Sequence, residues 1–245
     1  MFPLSLSERR RGTVSSLMFR ALLCLACLMC MQAPAVTAWG EERLFGVPER
    51  SAKDDPLFQR YYKVLWESVL RAEQNSPAFT AEGAGMNAAD AAQWRAILQR
   101  AARVDLPETL RMVNGFFNHW RSKQDAQAFG TPEHWASPAE FIRNRGGDCE
   151  DYAIAKYFAL RFLGVPAESM RLVVLREVSA KGVPHPQLHA VLAVRTAKTW
   201  FVLDNNARPK LAIHPHTQYK SRVVPLYSMN ENGAWKHAPD PMSVR

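Results

Sequence analysis

The chain has 245 residues, enough for one well-packed domain and too few for two large ones. Hydrophobic residues make up 47% and charged residues 22%, the composition of an ordinary globule. The formal net charge is +8, but no block of like charges is long enough for a nucleic-acid-binding tail, so nucleic acid is not an expected partner.

In chain order, Arg9, Arg10 and Arg11 precede an apolar run from Leu17 to Met31 that only Arg20 interrupts. Val36-Thr37-Ala38 then offers the small residues a signal peptidase accepts. The pattern predicts a signal peptide over residues 1–38 and a single domain over 39–245. Its uninterrupted stretch of about a dozen apolar residues is short for a membrane span of about twenty. Without this leader the chain keeps 27 basic and 22 acidic residues, a mildly basic +5. Cys24, Cys27 and Cys30 all fall in the leader, which leaves Cys149 alone and unable to form an internal disulfide. In an exported protein a lone thiol is either buried and inert or kept for its reactivity.

From Asp55 to Gln74 apolar residues recur at helical spacing, and residues 76–87 are small and turn-prone. Helices are expected from Ala88 to Arg103 and from Pro107 to Trp120. A short one starts at Ser137-Pro138, with Ser as cap and Pro in the first turn, and Gly146-Gly147 breaks it. Asp148 then opens the most legible helix, which carries a broad apolar stripe to Leu163 and stops at Gly164 and Pro166. After it the period changes: Met170–Val178, His189–Val194 and Trp200–Leu203 are β-branched or aromatic runs of strand length. The architecture expected is α+β, with amino-terminal helices packed on an antiparallel sheet and Cys149 at a helix N-terminus.

At a helix start, free backbone amides and the positive end of the dipole stabilise a thiolate and can donate to an oxyanion on a substrate carbonyl. Asp148, Glu150 and Asp151 surround the thiol. One or two acids are explained as helix caps; three would raise the thiol pKa by like-charge repulsion unless a hard cation such as calcium neutralised them, and both readings stay open. After the leader no CxxC or HExxH spacing suits zinc. A base must come from His119, His134, His185, His189, His214, His216 or His237. His189 enters an apolar strand and is followed, at the end of the next, by a carboxylate able to orient it, Asp204, although Asp204-Asn205-Asn206 also reads as a turn start. His185, between Pro184 and Pro186, reads as a loop residue. If the two strands form a hairpin, direct opposition of His189 and Asp204 centres its turn between Thr196 and Ala197. Phe116, Phe117, Trp120 and Trp135 read as core aromatics.

The run Gly146-Gly147-Asp148-Cys149-Glu150-Asp151-Tyr152-Ala153, with Lys156-Tyr157-Phe158-Ala159-Leu160, His189–Val194 and Leu203-Asp204-Asn205, resembles the bacterial transglutaminase-like cysteine proteinases. The likeness extends over about Leu110 to Val224. It implies a papain-like or transglutaminase-like core, a triad of Cys149, His189 and Asp204, and calcium held near Asp148, Glu150 and Asp151. It further implies a periplasmic endopeptidase that cuts the amino-terminal region of a large surface adhesin and releases cells from a biofilm. The implied regulator is the periplasmic domain of an inner-membrane cyclic di-GMP receptor. Two rival readings accompany it. One is another acyl transfer on the same core, either transglutamination or hydrolysis of peptidoglycan peptides. The other is a non-catalytic calcium- or partner-binding module.

Overall fold

The computed structural model describes residues 43–83, 85–179 and 181–237, so the expected signal peptide lies outside the described residues. Tyr62, Trp66 and Val69 bury one face of the first long helix, where a π-helical turn (Phe58–Tyr62) runs into α1 (Lys63–Asn75). Asn87 caps α2 (Ala88–Ala101) by accepting from the Asp90 amide, and Asp105 caps α3 (Leu106–Asn118) through the Glu108 amide, each at 2.9 Å. A single turn, α4 (Asp125–Ala128), precedes α5 (Pro138–Asn144), which starts with a capping box between Ser137 and Glu140. Then comes α6 (Cys149–Phe162), whose side chains are buried without interruption from Asp151 to Leu160. Helix positions agree with the apolar periodicity to within a few residues at the ends, where fraying is expected.

The strands are β1 (Glu49–Ser51), β2 (Met170–Val178), β3 (Pro184–Arg195), β4 (Trp200–Leu203), β5 (His214–Pro215), β6 (Val223–Asn230) and β7 (Gly233–His237). They form one antiparallel sheet in the order β1-β7-β6-β2-β3-β4-β5. Leu172, Val174, Leu192, Val194 and Leu203 join the helices in the main core. Val173, Leu175, Val191, Ala193 and Val202 face the other way and are closed over by Leu44 and Phe45. Burial on both faces is why these strands read as continuous apolar runs rather than alternating ones.

Two details differ from expectation. β3 starts at Pro184, because β2 pairs with it as far as Val178 opposite Pro184, so His185 is an exposed strand residue rather than a loop residue. The β3–β4 register sets Leu192 opposite Leu203 and Arg195 opposite Trp200, two residues away from direct opposition of His189 and Asp204. The loop is Thr196–Thr199, fastened by the Thr196 hydroxyl, which accepts from the amides of Lys198 and Thr199. Because side chains alternate with period two, a two-residue shift keeps histidine and acid on one face, whereas a one-residue shift would have separated them.

Candidate active site

The site begins at the two glycines. Gly146 has φ +139°, and a Cβ there would lie 1.9 Å from the Arg121 carbonyl oxygen; one on Gly147 would lie 2.1 Å from Asp151 Oδ2. They therefore do more than end α5: they let the chain pass close against its neighbours and deliver Cys149 to the start of α6. The thiol donates to Glu150 Oε2 at 3.0 Å and also meets the backbone amide of Ala190 in β3. Burial first, and then the Glu150 carboxylate, push the thiol pKa up, while the Ala190 amide pulls it down.

The other half of the site comes from the sheet. His189 is 9% exposed, and its Nε2 donates to Asp204 Oδ1 at 3.0 Å, which leaves Nδ1 free for a thiol. Asp204 also accepts from the Asn206 amide at 2.8 Å and from the Tyr219 hydroxyl at 3.3 Å. Burial raises its pKa, but the His189 bond and charge, the Asn206 amide and the Lys156 charge together hold it below the ordinary carboxylate range, so it is an anion and the His189 tautomer follows. From α3, Asn118 Nδ2 donates to the carbonyls of Asp204 and Lys210, and Asn114 Nδ2 to that of Ala212. Asn114 and Asn118, one turn apart on a buried helix face, thus tie down the loop that carries the acid.

β4 ends at Leu203, so β3 has no partner on that side from His189 to Val191. Into this open edge falls a cleft of about 480 Å³ lined by Cys149, His189, Ala190, Tyr61, Trp135 and Asn206, among others. Phe116, Phe117, Trp120 and Trp135 all belong to the buried core, and Trp135 reaches the cleft as well.

Of the three acids around the thiol, Asp151 is turned to the backbone: it accepts from the amides of Ala136 at 2.8 Å and Asp148 at 3.3 Å and is fully buried. Asp148 and Glu150 instead converge with Asp125 of α4, one oxygen of each lying within 4.8 Å of the others. Oδ1 of Asp125 and Oδ1 of Asp148 are buried with no hydrogen-bond partner. Burial pushes all three carboxyls above their ordinary range, and for Asp148 the Glu150 charge adds to it. Orphaned, desolvated carboxylate oxygens at this spacing suit a hard divalent cation. Asp125 was not legible from sequence, where it is one acid in a polar stretch. Asn114 and Asn118 had a readable signal as polar residues on the apolar stripe of a helix.

The model of the bacterial transglutaminase-like cysteine proteinase family matches residues 86–241, which take in every helix from α2 onward and strands β2 to β7. Legionella pneumophila LapG in its calcium-bound form is a similar solved structure, at 25% identity over 73% of this chain and 92% of that one, with a TM-score of 0.51. An EGTA-treated form of LapG matches at 26% identity over 73% of this chain and 91% of that one, with a TM-score of 0.49. No curated protein sequence matches the chain. Since the matched span takes in more than half of the chain and contains Cys149, His189 and Asp204, the chain belongs to the bacterial transglutaminase-like cysteine proteinases.

Proposed function

We propose that this cysteine proteinase is a calcium-dependent periplasmic endopeptidase working through Cys149, His189 and Asp204. The observation that carries it is the buried His189–Asp204 hydrogen bond at 3.0 Å, made by a histidine that lines the same cleft as Cys149. Nδ1 of His189 takes the thiol proton, and Cys149 Sγ attacks the scissile carbonyl. Backbone amides at the start of α6 donate to the oxyanion. The protonated imidazole then gives its proton to the departing amine, leaving an acyl-enzyme. Water, losing a proton to His189, releases the acid and restores the thiol. Asp204 keeps the ring oriented and stabilises its charged form.

Asp125, Asp148 and Glu150 would hold the calcium ion. Its positive charge would offset the Glu150 and Asp148 carboxylates, which add to burial in raising the Cys149 pKa. Legionella pneumophila LapG, a protein of similar fold, has been obtained calcium-bound, which supports the reading. The substrate proposed is the amino-terminal region of a large surface adhesin, and the regulator the periplasmic domain of an inner-membrane cyclic di-GMP receptor. Both rest on the motif resemblance around Cys149.

The test is incubation of the purified chain with that region of a co-encoded adhesin, with calcium and with a chelator. A discrete calcium-dependent cut that Cys149→Ala abolishes is expected. Cutting by Cys149→Ala would refute the nucleophile. Transfer of the acyl group to an added amine in preference to water would move the reading to a transglutaminase.

A further inference from the structure

β3 lies between β2 and β4, but the two neighbours cover different lengths of it. β2 pairs in unbroken register from Leu188 to Val194, whereas β4 pairs only from Leu192 to Arg195. In an antiparallel ladder the N–H and C=O of one residue face the same neighbour, and successive residues face opposite ones. At the hairpin end the Thr196 amide donates to the Thr199 carbonyl at 2.9 Å, so Val194, Leu192, Ala190 and Leu188 also face the β4 side. Beyond Leu192 no strand of the sheet covers that side. The Ala190 amide meets the Cys149 thiol there. The N–H and C=O of Leu188 face the same open side, in the cleft that Gln187 and Leu188 help to line, and Leu188 is 43% exposed. Two residues further out stands Pro186, which has no N–H to offer. β3 also carries two residues more than β2 here, since Arg176 sits opposite Leu188 and Val178 opposite Pro184, and such a bulge bends a strand. Prolines and bulges guard an exposed edge against indiscriminate pairing. They leave open a short window at Leu188, bounded by Pro186 and by β4, with the nucleophile beside it.

We propose that the substrate binds as an extended strand added to this window, the backbone N–H and C=O of Leu188 holding one of its residues in a two-bonded pair beside the scissile bond. The inference rests on the reading of Cys149 as the nucleophile of an endopeptidase and adds what that site recognises: the backbone of an extended, non-prolyl segment. Strand addition draws its affinity from main-chain hydrogen bonds, which every sequence but proline can make. Leu188 and Ala190 are about 7 Å apart along the strand, so the residue held by Leu188 lies one or two positions from the one whose carbonyl meets Cys149. A helical segment, whose backbone groups are already bonded to one another, cannot pair in this way.

The probe is acetyl-Ala-Ala-Ala chloromethyl ketone, which alkylates Cys149 with loss of chloride and whose methyl side chains leave the backbone as the main feature to be recognised. Chloroacetone carries the same reactive group without the peptide. The ratio of the two labelling rates, followed by the mass of the intact protein with calcium present, therefore isolates peptide recognition. A ratio of at least about tenfold is expected in the parent from two hydrogen bonds, and a ratio near one overturns the proposal. N-methylation of the three alanine amides in turn should give an alternating pattern, with a loss of about fivefold or more where the amide faces β3. No loss at any position, or equal loss at all three, overturns it. Leu188→Pro removes the donor on the open side and no ladder bond to β2, and should lower the ratio about fivefold or more. Leu188→Ala keeps the backbone and should lower it less than about twofold. A parent-like ratio in folded Leu188→Pro, or the same loss in both variants, also overturns the proposal. If Leu188→Pro does not fold, the N-methyl series on the parent protein decides. Labelling of Cys149 requires no protein to be cut, so an adhesin region left intact beside an undiminished ratio would count against the endopeptidase reading alone.

Discussion

Asn118→Ala tests whether the triad acid is held from α3. The wild-type amide nitrogen donates to two backbone carbonyls, those of Asp204 at 2.8 Å and Lys210 at 3.0 Å, from a residue only 4% exposed. Each such bond contributes about 1 kcal/mol; the buried Asp204 carbonyl would be left short of a donor, whereas that of the exposed Lys210 still receives Asn114 Nδ2 at 3.3 Å. Against this, Asn118 Oδ1 has no partner among the described residues, so truncation also removes one unsatisfied acceptor. The net loss expected is about 1–2 kcal/mol, read as a lower midpoint of urea unfolding at unchanged slope. Activity should fall further than stability explains. Under fully folded conditions kcat should drop about tenfold or more, because a displacement of Asp204 by a fraction of an ångström misaligns the His189 ring. Asn118→Asp, which keeps the shape but puts an acceptor against the Asp204 carbonyl, should be at least as harmful. An Asn118→Ala protein with stability within about 0.5 kcal/mol of the parent and undiminished kcat would refute the tether.

Gly146→Ala should cost at least about 3 kcal/mol or prevent folding, since neither the positive φ nor the 1.9 Å approach to the Arg121 carbonyl admits a Cβ; a fluorescence unfolding curve like the parent's would contradict this. His189→Ala should abolish cleavage while His185→Ala, on the exposed end of β3, keeps most of it, and the reverse pattern in a peptide-cleavage assay would move the base. Asp125→Asn should raise the calcium needed for half-maximal activity by about tenfold without lowering calcium-free stability, because it relieves carboxylate crowding. Asp151→Ala should instead lower calcium-free stability by about 2–3 kcal/mol by stripping acceptors from two amides, and calorimetry on both variants separates the roles. Burial and the Arg171 charge hold the buried His237 at a pKa of about 4, below its ordinary 6.5, so the unfolded chain gains this proton first as pH falls. The stability owed to neutral His237 is then present above pH 6.5 and lost between about 6.5 and 4, by at most about 3 kcal/mol, and His237→Gln should flatten that part of the stability–pH curve.

Sequence alone determined the helices other than α4, the strands β2 and β4, and the place of Cys149 at the start of α6, because each depends on periodicity and caps within about a dozen residues. It also singled out Cys149, His189 and Asp204, since a polar group set at the edge of an apolar run is conspicuous. It did not reveal β6 and β7. In Val223–Asn230 a proline breaks the strand pattern, and Gly233–His237 is too short and mixed to stand out without the neighbour that completes its ladder. The register of β3 on β4 was missed by two residues because the polar interruption at 195–198 does not reveal that Arg195 still pairs with Trp200. Only tertiary structure decided which acids converge: it brought Asp125 to Asp148 and Glu150 and turned Asp151 to the backbone. Likewise the hold of Asn118 on Asp204, across 86 residues of chain, exists only once α3 is packed against the loop that carries the acid. Local chemistry is written in neighbouring residues, while the electrostatics of the site is set by which distant groups the core forces together and away from water.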